Sequence, residues 1–184
     1  GSTFARSRST SHDRGPPSPD DRRSGRCMTM QDPPTFELER YFAGRTRAWG
    51  MVQDRFGRLR RRFTVEMEGR WDGKVLQLEE SFRYDDGTTS HRTWYVRRTG
   101  PFRYEAEAAD VVGKAVGVSD PSTLTWRYRL RLPIGRRAWT IRFHDVMFLQ
   151  DREVMINRAE MRKFGLRLGD LTIMFRRLDA APAA

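Results

Sequence analysis

The chain has 184 residues, and its 35 Lys and Arg against 24 Asp and Glu give a formal charge of +11, with Arg at all but three of the basic positions. A hydrophobic share of 38% supplies a core and argues against wholesale disorder, and no apolar run approaches the ~18 residues of a membrane-spanning helix. The single cysteine, Cys27, excludes an intrachain disulfide, and one Cys with three scattered His excludes a structural zinc site of the usual spacing.

Residues 1–35 hold five of the nine prolines, much Ser and Arg, and almost nothing apolar. Such a segment does not offset its ordering entropy, so a disordered basic tail is expected. No apolar stretch precedes Cys27, so neither a secretory nor a lipoprotein signal is expected, and a cytoplasmic place follows. Met28 or Met30 is a candidate native start. The first 29 residues hold six Arg and three Asp, so +8 stays with the rest of the chain.

The segment 36–42 (FELERYF) reads as a short amphipathic helix ended by Gly44. Beyond Gly44 the period becomes 2. In 61–71, Phe63, Val65, Met67 and Trp71 share one side, and Thr64, Glu66, Glu68 and Arg70 the other. Asp72-Gly73 reads as a tight type I′ turn. Leu76, Leu78, Phe82 and Tyr84 then share a face, Asp85-Asp86-Gly87 turns again, and 88–98 is the next strand. A long extended stretch, 102–118, follows Gly100-Pro101. Alternation is strictest in 122–133, with Leu124, Trp126, Tyr128, Leu130 and Leu132 on one side and Thr125, Arg127, Arg129 and Arg131 on the other. Residues 137–149, 152–165 and 170–177 complete the pattern, 152–163 being ambiguous between strand and helix. The expected fold is all-β: a single antiparallel up-and-down barrel of about eight or nine strands over 36–178, after a short N-terminal helix and before a flexible C-terminus, 179–184. Closure removes the exposed edges such a sheet would present, and an interior of this size is filled by side chains or holds one small ligand.

Some residues break the alternation. Glu80 falls on the face of Leu76, Leu78 and Phe82. Arg92 falls on that of Trp94 and Val96, opposite Glu80 across the hairpin. Asp110 follows Tyr104, Ala106 and Ala108; Asp145 follows Trp139, Ile141 and Phe143; Arg158 follows Val154 and Ile156. Isolated buried charge is very costly, so these groups are expected to be paired, hydrated or at a barrel mouth. Two readings compete: a structural network that fixes register, and the polar lining of a ligand cavity or an acid–base site.

The exterior is rich in Arg, with a ladder at Arg127, Arg129 and Arg131 and a run at Arg60, Arg61 and Arg62. Trp126 and Tyr128 lie on the opposite face from that ladder, which disfavours nucleic acid as a partner. A solvated face is the first reading and weak contact with an anionic membrane surface the second. No nucleophile elbow, phosphate loop, dinucleotide fingerprint or zinc-protease helix occurs, so no cofactor or metal is expected. His91 and His144 alternate onto the outer face.

The combination of AWG at 48–50, QDRFG at 53–57, RRF at 61–63, DVVG at 110–113 and the LQD…NRA…KFG series through Gly165 resembles the bacterial DUF3833 family, over about Phe36 to Arg177. That family is similar in strand pattern to lipocalin-like, or calycin, barrels. The resemblance implies a small apolar ligand, since some relatives accompany genes of fatty-acid modification. It implies no catalytic residue. Glu80, Arg92, Asp110, Asp145, Asn157, Arg158 and Lys163 fall inside its motifs.

The expected function is binding, without catalysis, of a small apolar or amphipathic ligand such as a fatty acid or other lipid. Trp71, Phe82, Trp94, Trp126, Tyr128 and Phe143 would hold its apolar part, and Glu80, Arg92, Asp110, Asp145 and Arg158 its polar end. The alternatives are an isomerase or cyclase using an interior carboxylate, and a membrane-peripheral accessory protein with a packed barrel.

Overall fold

The computed structural model describes residues 36–178. The expectations for 1–35, for Met28 and Met30, and for 179–184 lie outside the described residues. One short helix, α1 (Leu38–Phe42), precedes ten strands: β1 (Gly44–Asp54), β2 (Leu59–Trp71), β3 (Val75–Tyr84), β4 (Thr89–Gly100), β5 (Arg103–Glu107), β6 (Ala115–Ser119), β7 (Thr123–Ile134), β8 (Arg137–Leu149), β9 (Val154–Lys163) and β10 (Leu166–Arg177). Each pairs antiparallel with its sequence neighbours, and β1 pairs with β10 from Thr46↔Arg177 to Asp54↔Gly169. The sheet is therefore a closed up-and-down barrel with no free edge.

The barrel has ten strands rather than eight or nine. The extended stretch after Pro101 is two short strands, β5 and β6, parted at Ala108–Lys114. Between them the chain shifts sideways onto β7: Arg131 N–H donates to Asp110 O (2.8 Å) and Val112 N–H to Arg129 O (2.9 Å). Gly113, at φ +77°, supplies the left-handed residue that lets the chain rejoin as β6. The ambiguous 152–163 segment is strand β9, because its apolar residues meet β8 and β10 on both sides.

Turn chemistry is carried by aspartates. Asp54, Asp72, Asp86, Asp120 and Asp151 each accept, at Oδ1, backbone N–H groups two to four residues ahead. The loop at Asp72 differs from the expected type I′ turn: only Gly73 has positive φ (+92°), and Asp72 instead closes the turn by accepting from Lys74 and Val75 N–H at 2.8 and 2.7 Å.

Helix α1 closes one end. Leu38, Tyr41 and Phe42 are buried, Phe42 meets Phe175 edge-on at 5.7 Å, and the Tyr41 hydroxyl donates to Glu153 O (2.8 Å). The Phe42 carbonyl rests over Gly69, where a Cβ would lie 1.8 Å from that oxygen. One apolar cluster sits beneath the helix, with Val65, Met67, Leu76, Leu78, Val96, Leu124, Met147 and Met155; a second, around Leu130, Ile141, Phe143 and Ala159, lies further along the barrel.

Candidate functional site

Between the two apolar clusters lies a layer of polar side chains. On β8 the inward residues run Ile141, Phe143, Asp145, Met147, and on β9 Met155, Asn157, Ala159. Asp145 and Asn157 are 5% and 2% exposed. Asp145 Oδ2 accepts from the Tyr128 hydroxyl (3.0 Å) and from Asn157 Nδ2 (2.9 Å). Asp145 Oδ1 and Asn157 Oδ1 are buried without a hydrogen-bond partner, as is Thr46 Oγ1. Burial raises the Asp145 carboxyl to about 6, although Asn157, Tyr128 and the Arg92 charge oppose this.

Tyr128 links this pair to the opposite wall. Its ring stacks on Phe143 (5.2 Å, 5°) and meets Trp94 edge-on (5.7 Å, 83°). Burial, with Asp145 beside it, holds its hydroxyl well above the ordinary tyrosine range, so it stays a donor. Trp94 Nε1 donates to Glu80 Oε2 at 3.3 Å. Arg92 stands directly opposite Glu80 in the β3–β4 register. Its strong contacts go elsewhere: Nε donates to both Asp110 carboxylate oxygens at 3.1 Å and Nη2 to Oδ2 at 2.6 Å, whereas Nη1 is 3.7 Å from Glu80 Oε2. Burial and Arg92 pull Glu80 in opposite directions. Burial wins, because the guanidinium is spent on Asp110, and the Glu80 carboxyl rises to about 7. For Arg92, burial works against the charge, but Glu80 and Asp110 outweigh it and raise its proton affinity.

The layer runs from a dry end to a wet one. Asp145 and Asn157 are buried, whereas the Arg92 and Asp110 side chains are 22% and 31% exposed. Asp110 reaches Arg92 from the shifted Ala108–Lys114 segment, so the irregularity that breaks the β5–β6 line also supplies the partner of this half-buried ion pair.

The structure therefore brings Glu80, Arg92, Asp110, Trp94, Tyr128, Phe143 and Asp145 into one connected group. Phe82 adjoins it, with the Arg92 guanidinium 5.6 Å from its ring. Trp126 is opposite Asp145 in the register and covers Gly117, where a Cβ would lie 2.9 Å from the indole. Two residues stand apart. Trp71 ends β2 and is exposed at the rim beyond Leu76, away from the polar layer. Arg158 is exposed on the outer wall. Its expected place on the inner face, at the polar end of a ligand, is not taken, because the inward residues of β9 are Met155, Asn157 and Ala159. Counting the face from Val154 and Ile156 displaced the register by one residue and so reversed it. Asn157 holds the place given to Arg158; its flanking Met155 and Ala159 were the signal.

The outer wall has its own order. Arg129, Arg142, Arg162 and Arg167 stand directly opposite one another on β7, β8, β9 and β10. Glu160 and Asp170 engage Arg162 and Arg167. Outer cavities of about 420 and 560 Å³ lie over this row and over Trp49, Met51 and Met174. Among the described residues no group of three or more His, Cys, Asp or Glu side chains is placed to hold a metal ion, and no helix is long and apolar enough to cross a membrane.

A family model described as a protein of unknown function, DUF3833, matches residues 27–177. The chain belongs to the DUF3833 family. The match takes in every strand of the barrel and the whole polar layer, so the resemblance expected from the motifs is the family itself. The DUF3833 barrel is similar to the solved structure of an S-type phycobiliprotein lyase from Guillardia theta, at a TM-score of 0.57 and 6% identity, over 78% of this chain and 92% of that one. At this identity the likeness is one of fold, and it agrees with the lipocalin-like barrel expected for DUF3833. No curated protein matches the chain.

Proposed function

We propose that the barrel binds a small amphipathic molecule in its interior, with the polar end at the Asp145–Asn157–Glu80 layer and the apolar part against Phe82, Trp94, Trp126, Tyr128 and Phe143. The observation that carries this reading is the pair of buried oxygens, Asp145 Oδ1 and Asn157 Oδ1, without partners. A buried acceptor without a donor forfeits about 1–3 kcal/mol, and two such acceptors on a hydrogen-bonded pair of side chains suit a donor from a ligand. The polar end is accordingly a hydroxyl, amine or amide. A carboxylate, as in a fatty acid, fits less well: it meets Asp145 and Glu80, and Arg92, the cation of this layer among the described residues, is engaged by Asp110. The likeness to a phycobiliprotein lyase supports a barrel of suitable shape and no particular ligand.

The test is native mass spectrometry of gently purified protein. The expected result is a small-molecule adduct that a long-chain alcohol or amide displaces and a fatty acid of equal length does not. Absence of any adduct, with no uptake of either compound, overturns the reading and leaves a packed accessory barrel.

A second reading rests on the carboxyls at about 7 and 6. Both lie where a side chain serves as general acid or base near neutrality. An isomerase or cyclase of this kind would keep ligand binding in Glu80→Gln and Asp145→Asn but lose turnover; turnover surviving both substitutions removes it.

A further inference from the structure

In an up-and-down barrel the loops alternate between two ends. Helix α1 closes one, so the β1–β2, β7–β8 and β9–β10 hairpins turn at the other. They are consecutive around that rim, because β1 pairs with β10 and β9 with β8. These three tips carry an unusual set of side chains. Phe56 is 70% exposed, Phe164 91% and Leu166 66%, with Leu59 and Ile134 about half exposed. Beside them stand Arg55, Arg136 and Arg137, which make no ion pair with an acidic side chain among the described residues, and Arg58, whose charge acts on Asp54.

Phe164 is the most telling. It and Gly165 form a two-residue loop between the paired Lys163 and Leu166, and their φ angles of +51° and +81° are those of a type I′ turn. Asn or Asp suits the first position of that turn. A bulky aromatic there is strained, and the Lys163 ammonium, 5.0 Å from the ring centre, leaves the ring 91% exposed. Strain held at an exposed tip, with an aromatic projecting from it, points to a use outside the folded chain.

We infer that this rim is a docking surface for an anionic lipid bilayer. The apolar tips enter the interface between headgroups and acyl chains, and the unpaired arginines meet the lipid phosphates. Charge selects this occupant over a second copy of the chain, since two such rims facing each other would bring like charges together. Arg129 and Arg142 on the wall below the same hairpins extend the positive field, whereas Arg162 and Arg167 beside them are engaged by Glu160 and Asp170. The surface does not depend on an interior ligand.

The experiment is flotation of the 184-residue protein with vesicles of phosphatidylcholine alone and of phosphatidylcholine with phosphatidylglycerol. Binding is expected to the anionic vesicles and to weaken with salt. Phe164→Asn should weaken it about tenfold, the scale of one buried aromatic. Arg136→Gln with Arg137→Gln should weaken it by more, at about fivefold for each charge near the surface. Phe164→Asn should at the same time raise the thermal midpoint of the free protein, because it relieves the turn; a rise together with lost binding separates docking from a folding defect. Three outcomes overturn the inference: no binding to anionic vesicles at low salt, binding that both variants leave unchanged, or self-association through these tips without vesicle binding. Native mass spectrometry reports on the interior independently, so either proposal fails without the other.

Discussion

Replacing Glu80 by Gln keeps the shape of the side chain and removes its charge. In the folded barrel the carboxyl lies at about 7 against 4.5 for an ordinary glutamate. The cause is burial, only partly opposed by an Arg92 Nη1 at 3.7 Å and by the Trp94 indole N–H. Because the folded pKa is the higher one, the folded state keeps a proton between about pH 4.5 and 7 that the unfolded chain has already released. The stability this proton contributes is full below about pH 4.5 and lost as pH rises through 7. At about 1.4 kcal/mol for each tenfold change in proton affinity, the displacement is worth about 3 kcal/mol. Urea denaturation followed by tryptophan fluorescence from pH 4.5 to 8.5 measures this directly. The difference in unfolding free energy, Glu80→Gln minus parent, takes up any packing change at the acid end and should then grow by about 3 kcal/mol toward pH 8.5. Other groups that titrate in both proteins cancel. A flat difference, or one that falls with pH, would refute the argument, since it would mean that Arg92 stabilises the carboxylate at least as much as burial penalises it.

The same logic gives Asp145→Asn a relative gain of about 3 kcal/mol, complete by about pH 7 because the carboxyl moves from 3.8 to about 6. Asn157→Leu removes the donor that most opposes burial at Asp145, so the carboxyl should titrate higher still, as read from its carbon-13 shift; a lower value would show that Tyr128 alone satisfies it. Leu124→Ala, at a site with no exposure, should cost about 2–5 kcal/mol by chemical denaturation. Gly69→Ala should unseat α1 by displacing the Phe42 carbonyl, with early amide exchange confined to 36–43 as the sign. Arg158→Ala, on the outer wall, should change stability by no more than about 0.5 kcal/mol.

The fold was legible because burial on one side imposes a period of 2. Leu124, Trp126 and Leu130 alternate with Arg127, Arg129 and Arg131 as the sequence required, and the Asp-containing turns fell between strands where expected. The tenth strand was hidden because the break at Ala108–Lys114 comes from a lateral shift onto β7, of which Gly113 by itself is too weak a local signal. The site was legible where a charge interrupts a run of apolar neighbours, as at Glu80, Arg92 and Asp145. It was illegible where the run itself was ambiguous. In β9 the outward Val154 and Ile156 are as apolar as the inward Met155 and Ala159, because outward residues of this wall form an apolar line with Met174 and Phe148. With both faces apolar the period carries no phase, and Arg158 was read for Asn157. Asp110 was found, but its partner could not be deduced, since the segment that brings it to Arg92 is irregular.

The pairing of β1 with β10 ties residues that stand more than a hundred positions apart. Every other neighbour in the barrel is joined by a short local connection, so most of the sheet can zip up in sequence order. The last seam must wait for the whole chain and bears the largest loop-closure entropy. Until then both edge strands, β1 with its exposed Trp49 and Met51 and β10 with its exposed Met174, remain open templates for pairing with other chains. A nascent or truncated form lacking β10 is therefore a stack of finished hairpins with a slit down its side. That slit would admit a guest without any loop having to move, and its closing would turn the last strand into the latch that holds the guest in place.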